Sequence, residues 1–485
     1  MLNELKTEAN RALTENGAAA LLSAGSDCLD LFAAIGALRN ADEQEIIVRF
    51  VRAYAEDRDL ALKMLFYSRD IRGGLGERRV FRTVLKYMAD AEPESVRKNL
   101  RLISGYGRWD DLTALLGTAC EKDAVAVIRD QLAQDLAALD AGENVSLMAK
   151  WLPSVNTSGA ASVKDGKRIA KALGMPEAEY RRTLARLRAK IRIIENSLRQ
   201  KDYTFEYSTL PSGAMLKYRR AFRRNDGKRY KAFLEQVSAG KETVHTGTLY
   251  PYDVVAKALV FSGDDTERKA LDVTWNALEG FAPQGNALCV IDGSGSMYWS
   301  GTPLPATVAL SLGMYFAEHC KGRFRNHFIT FSRNPRLVEI KGRDLVEKVR
   351  YCRTFNECAN TDIEKVFRLI LATAVRNRMA REELPETLYF ISDMEFDRCA
   401  DNAEPTVFEH AKKLFGDYGY RLPKVVFWNV QSRNRQQPVS MGTQGAVLVS
   451  GCTPRIFSMV AGGRLDPVQF MKDVLLGERY APVRA

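Results

Sequence analysis

The sequence predicts two kinds of structure in one chain: an all-α half, then an α/β half with a doubly wound, mainly parallel sheet. Three observations carry this. Amphipathic helical periodicity recurs from the N-terminus to about residue 280, with no strand pattern before residue 286. From residue 284, nearly all-apolar runs of strand length alternate with helical stretches. At 485 residues the chain is also too long for one ordinary core. The expected domains are therefore 1–283 and 284–485.

In the first half, DCLDLFAAIGALR (27–39) places apolar residues at 28, 29, 31, 32, 35 and 38, a broad helix face. EQEIIVRFVRAYAED, DLALKMLFYSRDI, RRVFRTVLKYMAD and VRKNLRLIS repeat that pattern at short spacing. RGGLGE and GYGRWDD separate them as turns. Serial short helices imply either a helical-repeat solenoid or an irregular bundle. RGGLGE lacks the Lys-Ser/Thr and the preceding strand of a phosphate loop, so it reads as an interhelical turn. Trp109 and Trp151 read as core anchors.

In the second half the expected strands are 286–291, 326–331, 337–340, 387–392, 424–430 and 446–451, with helices at 305–320, 362–377 and about 405–418. Ligands of such sheets bind at the carboxyl ends of the strands. Asp292 and Asp393 each stand at such an end.

Composition is ordinary for a globular protein, and no apolar run approaches the roughly 20 residues of a membrane span. The polar start MLNELKTEANRALTENG does not read as a secretory signal. Eight scattered cysteines without a CxxC pair fit reduced thiols, so a cytoplasmic protein is expected. The net charge is +11, and residues 164–231 hold 20 Lys and Arg against 7 Asp and Glu. The rest of the chain is slightly acidic, so the basic character belongs to this one segment, a polyanion footprint.

The stretch NALCVIDGSGSM (286–297) delivers Asp292, Ser294 and Ser296 from a buried strand into a glycine-bearing loop. Close-set oxygen side chains on sharply bending backbone suit a hard divalent cation. The bland alternative is a strand-to-helix turn with an N-cap serine. Thr361, at a loop-to-helix junction, and Asp393 add two further candidates. A serine nucleophile fits less well, because GSGSM is not G-x-S-x-G followed by an Asp and a His.

These three elements, in this order over about 200 residues, resemble the metal-ion-dependent adhesion site (MIDAS) of a von Willebrand factor A (vWA) domain. The resemblance implies that Ser294, Ser296 and Thr361 bind Mg²⁺ or another divalent cation directly. Asp292 and Asp393 would act through water, leaving one position for a partner's carboxylate. SDMEF departs from the family where Met394 and Glu395 stand in place of glycine.

Strings in the first half resemble the TROVE module of Ro autoantigen proteins: 13–39, 65–88, YGRWDDL (106–112), 146–158 and 210–237. A related uncharacterised family that joins these strings to a C-terminal A domain matches SDMEF better. The likeness implies HEAT-like repeats closed into a ring, with structured or misfolded noncoding RNA on the basic surface and RNA ends in the hole. The residues give independent support. Arg181, Arg182, Arg186, Lys190 and Arg192 lie at mixed spacing on one expected helix, with 182, 186 and 190 on one face. Lys217, Arg219, Arg220, Arg223, Arg224, Lys228, Arg229 and Lys231 form a denser run interleaved with Tyr218, Phe222 and Tyr230. Clustered cations bind phosphate and aromatics stack on unpaired bases. The competing reading is a solvated helix face whose aromatics point inward.

The expected function is an RNA-binding scaffold with a cation-dependent docking site. The alternative is a protein-interaction module that grips an acidic partner residue through the cation, without RNA. An enzyme is not expected, since one cation held mainly by hydroxyls lacks the two-metal arrangement common in nucleases.

Overall fold

A computed structural model describes residues 1–191, 193–281, 285–299, 301–332, 334–355, 362–396, 407–462 and 465–485. Packing divides the chain into two compact units: Arg58–Leu210 with Glu478–Ala485, and Met1–Asp57 with Pro211–Gly477. Secondary structure changes character near residue 284, while the packing units cut the chain elsewhere. Periodicity is a local property; the choice of packing partner is not.

The unit of residues 58–210 and 478–485 is helical. Its central helix, Arg58–Arg69, is buried at every position from Leu60 to Arg69. A helix apolar on all sides belongs inside, and the charges it carries must then find partners. Lys63 Nζ donates to the carbonyls of Tyr480 and Val483 at 2.7 and 2.8 Å. Asp70 accepts from Arg479 Nη2 at 2.7 Å and from the Tyr480 hydroxyl at 3.0 Å. Tyr480 and Val483 thereby join this unit's core, while most of the other residues of 478–485 stay exposed. Helix Arg78–Ala91 turns Val80, Phe81, Val84, Leu85, Met88 and Ala89 inward, a 3–4 residue spacing that makes one continuous stripe.

The other unit contains a six-stranded sheet, so the helical plus α/β class is what the chain adopts. After a short helix, Leu2–Ala9, comes an N-terminal hairpin, β1 (Arg11–Leu13) antiparallel to β2 (Ala19–Leu21). The sheet comprises β3 (Ala287–Asp292), β4 (His327–Phe331), β5 (Leu337–Glu339), β6 (Thr387–Ser392), β7 (Lys424–Asn429) and β8 (Ala446–Ser450). Its spatial order is β5-β4-β3-β6-β7-β8, parallel throughout except for β5 at one edge. Every residue of β3 and β8 is buried, as a strand covered on both faces requires. Helix Pro305–His319 packs on β3, β4 and β6. Helices Ile363–Asn377 and Val407–Asp417 pack together, with Phe367 against Phe390 and Phe408 against Phe427.

Three expectations are corrected. Residues 11–21 hold a strand pair where no strand was expected, its β2 bridged to Gln437. The expected helix 27–39 is a short α-helix, Asp27–Phe32, followed by a 3₁₀ turn at Ile35–Ala37. That segment lies against the end of β8. Gly36 N donates to Ser450 Oγ at 3.0 Å, and a Cβ at Gly36 would stand 2.6 Å from the Ser450 carbonyl. Close backbone approach overrides the helical period there. Trp109 and Trp151 are half-buried rather than core anchors.

The described cysteines are buried and unbridged. No described helix is long and apolar enough to cross a membrane.

Candidate functional site

Asp292 ends β3 between the ends of its parallel neighbours β4 and β6, the place where an open α/β sheet presents ligands. It is 1% exposed. Its Oδ1 accepts from Ser294 N at 2.8 Å, which folds the Gly293 turn back on the carboxylate. Its Oδ2 accepts from Ser392 Oγ at 2.5 Å, tying the ends of β3 and β6 together. Ser294 and Ser296 hydroxyls lie 3.1 Å apart. Asp393 follows β6, 2% exposed, and Arg433 Nη2 stands 3.1 Å from its Oδ2. Thr361 lies outside the described residues.

Burial first, and then the charge of Asp393, push the Asp292 carboxyl up to about 7. Two carboxylates thus press on each other beside two hydroxyl oxygens. Among the described residues no three His, Cys, Asp or Glu side chains converge, so a cation here would depend on hydroxyl donors. A hard cation accepts such donors, and the crowded negative charge favours it.

Met394 adopts φ +68°, the left-handed region in which glycine is the easy residue. That explains why the departure from glycine matters: the loop keeps a glycine-like backbone with a methionine in it. Glu395 has a structural partner. Its Oε2 accepts from Glu15 N and its Oε1 from Asn434 Nδ2, both at 2.8 Å. Its carbonyl takes Asn16 Nδ2 at 2.8 Å, and the Phe396 carbonyl takes Thr14 Oγ1 at 2.5 Å. The turn of the N-terminal hairpin is therefore pinned to the loop after β6. Arg433 completes the link, pairing with Glu15 Oε2 at 2.8 Å as well as with Asp393. Its guanidinium carbon also lies 5.9 Å from the ring of Trp299, which is 77% exposed.

Sequence reasoning missed Ser392, Arg433 and Glu15. Ser392 and Arg433 carry a readable signal, since both lie at or just beyond the carboxyl end of a strand. Glu15 carries none, being 380 residues from its partner Glu395.

The basic residues divide by placement. On helix Glu177–Ile191, Arg181, Arg182 and Arg186 are exposed and Lys190 is half-buried; Arg192 lies outside the described residues. Arg186 pairs with Asp140, and Lys190 Nζ donates to the Gly142 carbonyl at 2.6 Å. In the other unit, helix Ser212–Ser238, kinked at Asp226 (φ −139°, ψ 41°), exposes Lys217, Arg220, Arg223 and Arg224 before the kink and Lys228, Arg229 and Lys231 after it. Arg219 is corrected: it is buried, its Nη1 donating to the Leu216 carbonyl at 2.8 Å, and leaves the exposed set. Phe222 and Tyr230 are also buried and offer no stacking face. Arg220 and Arg223 pair with Glu267, and Arg223 with Asp264. Arg224, Lys228 and Lys231 have no ion pair among the described residues.

Family models divide the chain near residue 285, where its secondary structure changes character, rather than at the bounds of the packing units. A family model described as a domain of unknown function (DUF2828) matches residues 14–129 and 160–280. A second domain of unknown function (DUF7788) matches residues 286–468. Uncharacterized protein L728 of Acanthamoeba polyphaga mimivirus is 28% identical over 509 residues, covering 96% of this chain and 87% of that protein. A crystal structure of the Deinococcus radiodurans Ro (RSR) protein aligns over 90% of this chain and 92% of its own, at 12% identity and a TM-score of 0.33. That superposition is too loose to carry an argument about fold or function.

Proposed function

We propose that this chain is an RNA-binding scaffold of Ro type, without catalytic activity, working in the cytoplasm. The observation that supports it most is helix Ser212–Ser238. Its apolar residues Phe222, Tyr230, Phe233 and Leu234 are buried, while seven cations stand outside. The outward cations are thus not needed to build the core, and Arg224, Lys228 and Lys231 are not used in ion pairs among the described residues. Such a row suits the phosphate backbone of noncoding or misfolded RNA, with no preference among sequences.

The test is RNA affinity measured against salt. Wild type is expected to lose affinity steeply as salt rises, and Arg224→Glu with Lys228→Glu and Lys231→Glu to weaken binding across unrelated RNAs and flatten the salt slope. An absence of RNA binding at low salt would sink the reading.

The strand-end face supports a second role, a MIDAS of a vWA-like domain. Ser294, Ser296 and Thr361 would hold Mg²⁺ directly, with Asp292 and Asp393 acting through water. The cation would supply a receptor for an acidic side chain of a protein partner. Loss of a captured partner on adding EDTA, restored by Mg²⁺, checks this role; a partner retained unchanged in EDTA contradicts it.

A further inference from the structure

A second charged cluster lies within the helical unit. Helix Arg58–Arg69, helix Arg78–Ala91 and the segment Arg108–Asp111 bring Arg69, Arg78, Arg82 and Arg108 together with Asp110 and Asp111. Asp111 is fully engaged. Its Oδ2 accepts from Arg69 Nε at 2.7 Å and from Arg108 N at 2.8 Å, and its Oδ1 from Arg82 Nε at 2.7 Å. Asp110 Oδ2 is shared, 2.9 Å from Arg82 Nη2 and 3.3 Å from Arg78 Nη2. Gly107 makes the crowding possible, since a Cβ there would stand 2.2 Å from Asp111 Oδ2.

Two carboxylates are paired directly with three of the four guanidiniums, and Asp165 adds a longer-range attraction on Arg82. Arg69 is 2% exposed, and its Nη2 is buried with no hydrogen-bond partner. The guanidinium of Arg108 has no carboxylate partner among the described residues and lies 4.2 Å over the Trp151 ring. Burial lowers Arg78 and Arg108 from the ordinary arginine range, and neighbouring arginines add to that shift in both. Surplus buried positive charge is expensive unless an anion relieves it. Arg78 and Arg82 retain access to solvent, at 42% and 26% exposure.

We propose that this cluster is a phosphate-binding site, in which Arg78, Arg82 and Arg108 hold the oxygens of a phosphate group and Arg69 adds its buried charge. The choice of ligand follows from the donors. Guanidinium forks match the oxygens of a phosphate, and an anion offsets the excess of arginines over their paired carboxylates. The site is independent of the RNA reading, which concerns residues 181–231.

Arginine modification by phenylglyoxal, mapped by mass spectrometry on the full chain, tests it at constant ionic strength. Inorganic phosphate is expected to protect Arg78 and Arg108 while leaving exposed Arg181 and Arg182 reactive. The double variant Arg78→Gln with Arg108→Gln, checked for folding by circular dichroism, should bind phosphate at least roughly tenfold more weakly by calorimetry. Replacing phosphate with a single-stranded RNA oligonucleotide assigns the source. Protection at lower concentration by the oligonucleotide places a backbone phosphate in the site, and protection by inorganic phosphate alone places a small free anion there. No protection by either, or unchanged phosphate affinity in the folded double variant, overturns the proposal.

Discussion

Asp111 in the helical unit and Asp292 in the α/β unit are both all but closed to solvent. Asp111 accepts from two guanidiniums and a backbone N–H. Asp292 accepts from one N–H and one hydroxyl and faces another carboxylate, which together with burial raises its proton affinity. The same residue at the same depth thus plays opposite parts. One is saturated by counter-charge from its own chain and holds two helices together. The other is left short of counter-charge, which structural economy alone does not require. A buried carboxylate pair met by one guanidinium, that of Arg433, marks a place where a cation has something to gain.

Four measurements would sharpen or break that contrast. The largest effect is expected from Asp111→Asn, which leaves the buried Arg69 without its carboxylate and Arg82 with Asp110 alone. Urea unfolding should show a loss of about 3–5 kcal/mol, whereas Asp292→Asn should change stability by less than about 1 kcal/mol because it also removes a repulsion. Equal losses in the two variants would erase the distinction. Next, Ser294→Ala with Ser296→Ala should cut Mg²⁺ affinity by roughly a hundredfold in calorimetry with little change in stability. Retained affinity would mean that the hydroxyl pair is only a turn.

Glu45 extends the comparison to a carboxylate drawn the other way. Hydrogen bonds from Arg435 and Arg49 hold it down to about 2. A depressed carboxylate contributes stability that is complete above its unfolded value of 4.5 and is lost as pH falls toward 2. Glu45→Gln should therefore cost about 1 kcal/mol at pH 7, after allowance for solvent screening, and nothing near pH 2. A cost independent of pH would point to packing instead. The smallest effect is expected at Arg433→Gln. Global stability should fall by about 0.5 kcal/mol, while amide exchange at residues 14–16 accelerates as the pairing with Glu15 is lost. Unchanged exchange there would show that Glu395 and Asn434 hold the hairpin alone.

Much of the α/β half was legible because a buried parallel strand is a local signal. LYFI and VVFW are apolar at consecutive positions, and Asp292 announces a strand end by being the first charge after such a run. Less was legible where a distant partner decides. β1 and β2 are three residues each, too short to show alternation, and β2 is bridged to Gln437 from beyond the sheet. The expected helix at 27–39 ends early because Gly36 must reach Ser450. Arg219 reads as one more cation in a basic run, yet the rotation of its helix turns it inward beside Leu216. The role of Glu395 became apparent only when Glu15 and Asn16 were found beside it.

The pinning of the hairpin turn to residues 395–396, and of Gly36 to the end of β8, sets a timetable for biosynthesis. A ribosome adding roughly 5–20 residues per second needs tens of seconds to pass from the first of these segments to the last. Throughout that interval the opening fifty residues have no sheet to join. The N-terminus is the first part made and among the last to find its place, so a nascent chain must keep Leu29, Phe32 and Ile35 from other company until β8 emerges.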